Sequence, residues 1–276
     1  MEILEGKIVS ENIKKDFEDK IRILNEKGII PHIAVLGICG DNASRTYIKR
    51  IEKNCEKYGI EFTLKMAETE KEFKQNFEQI KNDDKITGIM FQQPLPKNIS
   101  DLIDEIPPEK DVEGIGINNM GKLFVQKKDA LIPCTSKAVI EVLDYYKIDI
   151  TGKKVVVVGR SNIVGKPLIP QLLAKNATVT ICHSKTENLK EHTLMADVII
   201  MAIGKPNFLK KDYIKDGAIL IDVGINFYNG KMVGDIDFED IKNKASKCTP
   251  VPGGIGVVTN SLLIQNIIKS CEIQLK

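Results

Sequence analysis

Four short, uninterrupted apolar runs in the second half of the chain constrain the fold most: KKVVVVG (153–159), ATVTIC (177–182), DVIIMA (197–202) and AILIDVG (218–224). Each is rich in valine and isoleucine, and helical or glycine-containing segments separate them. Strands that alternate apolar and polar residues show one face to water. Continuously apolar strands are covered on both faces, as in a parallel sheet between layers of helices. The first half carries a weaker version of this pattern. IPHIAVLGI (30–38) reads as a buried strand, followed by a Gly40-Asp41-Asn42 turn and a helix from Ser44 to Tyr58. TGIMFQQPLP (87–96) reads as another strand, stopped by its prolines.

The 276 residues suit two domains. Pro107, Pro108, Gly114 and Gly116 make residues 106–118 irregular, and a helix at 135–147 crosses to the second domain. The helical spacing of NSLLIQNIIKSC (260–271) suits a return to the first domain. The expected architecture is therefore α/β, with residues 1–118 plus 255–276 in a discontinuous first domain and 119–254 in a second.

Forty basic and 38 acidic residues nearly cancel, which argues against a global nucleic-acid footprint while leaving room for a local anion pocket. No apolar run approaches the roughly 18 residues of a membrane span. The amino terminus, MEILEGKIVSENIKKDF, is charged and amphipathic without an apolar signal core, so a cytoplasmic location is expected. The six cysteines have no C-x-x-C spacing and there are three histidines, a poor ligand set for zinc or a disulfide framework.

The strand KKVVVVG runs into Gly159-Arg160-Ser161-Asn162-Ile163-Val164-Gly165-Lys166-Pro167 and then an apolar helix. A glycine turn between strand and helix admits a pyrophosphate at the helix amino terminus. The G-x-S-x-x-x-G spacing is not the common dinucleotide fingerprint, so alone it is equally a plain tight turn. The next strand separates the two readings. An NAD site usually places Asp or Glu there for the ribose hydroxyls, but ATVTIC ends in His183-Ser184-Lys185-Thr186. Arg160, Ser184 and Lys185 together suit a 2′-phosphate, so the expected cofactor is NADP on a Rossmann-like domain.

GRSNIVGKP, ATVTICHSKT and TPVPGGIG together resemble the methylenetetrahydrofolate dehydrogenase/cyclohydrolase family, and the resemblance extends over nearly the whole chain. Further matches are Ser44 with Tyr47, Gln92-Gln93-Pro94-Leu95-Pro96, Lys110-Asp111-Val112-Glu113-Gly114, Pro133-Cys134-Thr135, Gly204-Lys205-Pro206, Ile221-Asp222-Val223-Gly224-Ile225-Asn226 and Gly234-Asp235-Ile236. The resemblance implies a folate-side α/β domain, a Rossmann-like NADP-binding domain, tetrahydrofolate carrying a one-carbon unit as substrate, and a homodimer. By position, Tyr47 resembles the residue that stacks on folate, Gln92 the amide near the reacting region, and Glu113 the acid that holds the pterin. Pro252, Gly253 and Gly254 resemble the loop beside nicotinamide and folate. Gly159, Arg160, Ser161, Ile163, Gly165, His183, Ser184, Lys185, Gly204 and Ile225 are the cofactor positions. Asp111 reads as a loop-stabilising acid rather than a catalyst, and as a secondary folate-site candidate.

The sequence departs from the family pattern at four places. The Gly40–Ser44 turn lacks a proline and is one residue shorter. Glu113 replaces an aspartate, and Gly256-Val257-Val258-Thr259 replaces glycine-proline-methionine-threonine. Ile51 stands where the family has a catalytic lysine. Helical geometry places Ile51 about 40° from Tyr47 and Arg50 about 60° to the other side. Arginine stays protonated and is a poor base, so Arg50 does not replace a lysine. These residues favour oxidation of methylene-tetrahydrofolate, with hydrolysis of the methenyl product weakened. The competing readings are a bifunctional enzyme with another base and a non-catalytic NADP-binding regulator.

Overall fold

The computed structural model describes residues 1–39 and 42–275, with only the backbone for 42–46. The turn expected at Gly40-Asp41-Asn42 therefore lies largely outside the described residues. In chain order the first elements are β1 (Glu2–Ile3), α1 (Gly6–Glu26), β2 (His32–Ile38), α2 (Asn42–Lys57) and β3 (Glu61–Ala67). They are followed by α3 (Glu70–Lys81), β4 (Gly88–Phe91), α4 (Lys97–Ser100), α5 (Ile117–Phe124) and α6 (Cys134–Tyr145). The remainder is β5 (Lys154–Val158), α7 (Gly165–Ala174), β6 (Thr178–Cys182), α8 (Leu189–Met195), β7 (Val198–Met201) and β8 (Ile219–Asp222). The chain closes with β9 (Asn226–Tyr228), β10 (Lys231–Val233), α9 (Phe238–Ile241), β11 (Lys247–Cys248) and α10 (Ile255–Gln274).

Contacts divide the chain into two units, one of residues 13–132 and 262–276, the other of residues 1–12 and 133–261. This division differs from the expected breaks at 118/119 and 254/255, for local reasons. Asn119 holds the backbone of Pro108 and Leu131, which keeps 119–132 with the first unit. The first residues join the other unit because β1 pairs with β11, a strand too short to be recognised by periodicity. The expected return of the carboxyl-terminal segment corresponds to residues 262–274 of α10, which fall in the first unit.

In the first unit, β3-β2-β4 form a parallel three-stranded sheet. Helix α3 shows how the sequence builds it. Thr69 caps the helix by accepting the Glu72 N–H at 3.2 Å, and acidic residues in the first turn suit the helix dipole. Phe73, Phe77 and Ile80 fall on one face at helical spacing and are buried. The Phe73 and Phe77 rings meet Phe91 of β4 edge-on at 5.1 and 5.0 Å between centroids. In the second unit the order is β1-β11-β8-β7-β5-β6, all parallel. The four continuous apolar runs form β5, β6, β7 and β8 within it. β5 and β7 are buried almost throughout, as their composition requires, but β6 is an edge strand of which only Cys182 is buried, so it is not covered on both faces as expected. Among the described residues, no helix is long and apolar enough to cross a membrane.

Candidate functional site

The glycine turn lies where the sequence places it. β5 and β6 run in parallel register up to Val158 opposite Cys182, so Gly159 and His183 leave neighbouring strands at the same sheet edge. The Gly159 N–H donates to the Cys182 carbonyl at 2.8 Å. Gly159 has φ +134°, and a side chain there would strike the Ala202 carbonyl. The turn is closed from within: Ser161 Oγ accepts the Val164 N–H at 3.1 Å, and Lys166 Nζ donates to Asn162 Oδ1 at 2.7 Å. Gly165 then begins α7, whose amino terminus favours anions.

Arg160, Ser161 and Ile163 are exposed beside this turn, and Ser184 and Lys185 are exposed at the end of β6. His183 is partly committed: its Nδ1 accepts the Lys185 N–H at 3.1 Å, and its own N–H donates to Thr186 Oγ1 at 2.8 Å. It therefore shapes the bend that presents Ser184 and Lys185. Guanidinium, hydroxyl and ammonium donors at adjacent strand ends, without a carboxylate at 183–186, fit the phosphates of NADP.

Gly204 and Ile225 lie on the other side of β5, beyond β7 and β8. Both segments are fixed by carboxylates to which the sequence gave no role. Asp235 is buried and accepts the N–H groups of Ile203, Gly204 and Lys205 at 2.7, 3.0 and 2.8 Å, and the Asn226 amide at 2.9 Å. The N–H of Gly204 is thus already engaged, while Ile225 is exposed. Asp222 is 3% exposed and accepts the N–H groups of Gly224, Asp235 and Ile236 at 3.0, 3.0 and 2.8 Å. Burial pushes the Asp222 carboxyl up to about 7, against the pull of these hydrogen bonds. The glycines of the two motifs follow from this packing. A side chain at Gly234 would strike the Asp222 carboxylate, and one at Gly224 would strike Asp235.

In the first unit, Tyr47 lies on α2 after β2, and Gln92 follows β4. The Gln92 N–H donates to Leu36 of β2 at 2.7 Å, which keeps it at the carboxyl end of the sheet. Its Nε2 donates to the Gln93 carbonyl at 2.7 Å, but its Oε1 is buried without a partner, as is Gln93 Nε2. Buried polar atoms are nearly always paired in folded proteins, so these two amides leave one acceptor and one donor able to bond a polar group. The sequence singled out Gln92; the structure adds Gln93.

Glu113 lies in a loop held by its neighbours. Asp111 is 1% exposed and accepts the N–H groups of Gly114 and Gly116, both at 2.9 Å, and the Asn119 amide at 3.0 Å. Lys110 Nζ donates to the carbonyls of Lys81 and Asp83. From α10, Asn266 donates to the carbonyls of Val112 and Ile132 at 2.9 and 3.0 Å. Glu113, unlike Asp111, has no hydrogen-bonding partner among the described residues. Burial, and then the charge of Asp111, raise its carboxyl to about 8. A partly exposed, unpaired acid of raised pKa is a recognised sign of a functional position.

Ile51 is 2% exposed and shares the buried face of α2 with Ile48 and Cys55, whereas Arg50 is exposed. In the second unit, the Gly253 carbonyl accepts the N–H of Gly6 at 2.8 Å. Gly6 and Gly254 approach too closely for a side chain at Gly6. Packing against the start of α1 therefore accounts for part of the glycine loop, while Pro252 remains exposed.

The chain is similar to known proteins over nearly its whole length. Residues 4–113 match the family model "Tetrahydrofolate dehydrogenase/cyclohydrolase, catalytic domain", and residues 133–275 match "Tetrahydrofolate dehydrogenase/cyclohydrolase, NAD(P)-binding domain". The bifunctional protein FolD of Dictyoglomus thermophilum is 46% identical over 98% of this chain and 97% of its own. The bifunctional FolD methylenetetrahydrofolate dehydrogenase/cyclohydrolase of Campylobacter jejuni has a crystal structure that superposes with a TM-score of 0.94, at 40% identity and 99% coverage of each chain. The Trypanosoma brucei enzyme, complexed with NADP cofactor and inhibitor, gives a TM-score of 0.92 at 29% identity over 99% of this chain and 98% of its own. Two family domains matched in order, and relatives spanning nearly the whole chain, agree with the glycine turn and the folate-side motifs: the chain belongs to the tetrahydrofolate dehydrogenase/cyclohydrolase family.

Proposed function

We propose that the protein oxidises 5,10-methylenetetrahydrofolate to 5,10-methenyltetrahydrofolate with NADP. The observation that carries this reading is the Gly159–Gly165 turn beside an acid-free strand end bearing Ser184 and Lys185. The family frame supplies the substrate class. NADP, when bound, supplies the hydride acceptor. The protein binds and orients. Arg160, Ser184 and Lys185 hold the 2′-phosphate, and the start of α7 holds the pyrophosphate. Tyr47 stacks on the folate, the Gln92 and Gln93 amides hold polar groups near the reacting carbon, and Glu113 pairs with the donor edge of the pterin.

Hydride leaves the methylene carbon and a methenyl cation remains. No proton has to be removed in that step, so positioning and electrostatics suffice. Hydrolysis to 10-formyltetrahydrofolate requires a water to lose a proton. Ile51 cannot accept it, so we read the enzyme as a dehydrogenase whose cyclohydrolase activity is greatly reduced. It works in the cytoplasm as a homodimer, the assembly that the family resemblance implies. The test supplies methylene-tetrahydrofolate with NADP or NAD and follows reduced cofactor and methenyl product separately. Cofactor reduction that does not depend on tetrahydrofolate refutes the substrate assignment. Tight NADP binding without turnover favours a regulatory protein instead.

A further inference from the structure

The sheet order fixes how a dinucleotide lies along its edge. If the 2′-phosphate sits at the end of β6 and the pyrophosphate at the end of β5, the nicotinamide half extends toward β7 and β8. At those strand ends one buried carboxylate ties two loops together. Asp235 takes the N–H groups of Ile203, Gly204 and Lys205 after β7, and the side-chain amide of Asn226 after β8. Its own N–H is held by Asp222 at 3.0 Å. β7 and β8 pair up to Met201 opposite Asp222, Asn226 pairs with Val233 across β9 and β10, and the Asn207 N–H donates to the Gly234 carbonyl. Beside these backbone ties, the Asp235 carboxylate is the group that bonds both the 203–205 backbone and the Asn226 side chain.

We propose that Asp235 is a positioning residue for the nicotinamide half of the cofactor, setting the segments of Gly204 and Ile225, with Asp222 fixing Asp235 in turn. This inference rests on the NADP reading above. Asp235→Asn keeps the size but replaces an acceptor oxygen with a donor amide facing backbone N–H groups. Hydrogen bonds to a charged group are each worth about tenfold or more in an equilibrium.

The experiment measures binding of NADP and of 2′,5′-ADP, which has the 2′-phosphate end and lacks nicotinamide, to unmodified, Asp235→Asn and Asn226→Ala proteins. Circular dichroism and thermal midpoints are recorded alongside. We expect NADP to weaken about tenfold or more in Asp235→Asn while 2′,5′-ADP changes less than about twofold. Asn226→Ala, which removes one of the donors, shows the same selectivity on a smaller scale in a folded protein. KM for NADP rises more than KM for methylene-tetrahydrofolate. Equal weakening of both ligands in folded Asn226→Ala protein, or no change in either variant, overturns the positioning role. If Asp235→Asn does not fold, Asn226→Ala decides. Failure of the unmodified protein to bind 2′,5′-ADP overturns the cofactor reading itself, and this inference with it.

Discussion

The Asn119 side-chain amide donates to Asp111 Oδ2 at 3.0 Å and to the Pro108 carbonyl at 2.8 Å, closing the loop that carries Glu113. Asp111 has its oxygens filled by this amide and by backbone N–H groups. It supports the loop and repels negative charge on Glu113, two residues away. Glu113 itself has no hydrogen-bonding partner among the described residues, and its carboxyl is raised to about 8.

Glu113 gives a pH dependence with a definite sign. Its carboxyl is raised from 4.5 to about 8 in the folded protein. A raised folded value means that its favourable contribution is complete below about pH 4.5 and is lost as pH rises through about 8. The ligand-free enzyme should therefore lose stability over that interval from this group. Glu113→Gln should flatten the change in denaturant midpoint, raise KM for folate or lower turnover, and leave NADP affinity nearly unchanged. An unaltered pH profile in the variant refutes the titration. A folate complex with Glu113 turned to solvent refutes the binding role.

Asn266 tests the same loop from α10. Asn266→Ala removes the donor amide that holds the Val112 and Ile132 carbonyls. The expected loss is about 1–3 kcal/mol in chemical denaturation. A looser loop should raise KM for methylene-tetrahydrofolate while binding of 2′,5′-ADP stays constant. A variant with unmodified folate kinetics would separate this anchor from the site.

Cofactor choice rests on exposed cations. Arg160→Ala and Lys185→Ala should each weaken NADP far more than NAD, by about 1.5–3 kcal/mol, or roughly ten- to a hundredfold. Isothermal titration with both cofactors measures it. Equal use of NADP and NAD by the unmodified enzyme defeats the argument.

At Ile51, methenyl-tetrahydrofolate should accumulate during turnover, with catalysed hydrolysis about 100- to 10,000-fold below what a general base provides. Its absorbance, corrected for spontaneous hydrolysis, follows this directly. Ile51→Lys puts an ammonium at a position 2% exposed, so its thermal midpoint should fall. Any gain in hydrolysis in that variant would show the new side chain reaching the substrate. Hydrolysis by the unmodified enzyme as fast as oxidation means that another base serves.

Much of this protein is local chemistry, and local chemistry is legible in a sequence. Apolar valine and isoleucine runs specified β5, β7 and β8, because strands covered on both faces need apolar side chains at nearly every position. β6 formed as expected, but at the sheet edge and half-exposed. The glycine turn and the acid-free strand end were legible too, since close backbone approach and phosphate charge each demand particular residue types at fixed spacing. The motifs containing Asp111, Asp222 and Asp235 were visible as strings, but what Asp222 and Asp235 do was not. Their partners are backbone N–H groups up to 32 residues away, which carry no mark in the sequence. The same holds for Asn266, whose acceptors lie 154 and 134 residues back. The pairing of β1 with β11 joins residues at opposite ends of the chain through strands of two residues each, too short for any periodicity. Residue type determined which segments form strands, turns and anion sites. Only the tertiary structure decided which buried carboxylates hold the loops and which, like Glu113, is left without a partner, because a hydrogen bond depends on where the chain returns in space.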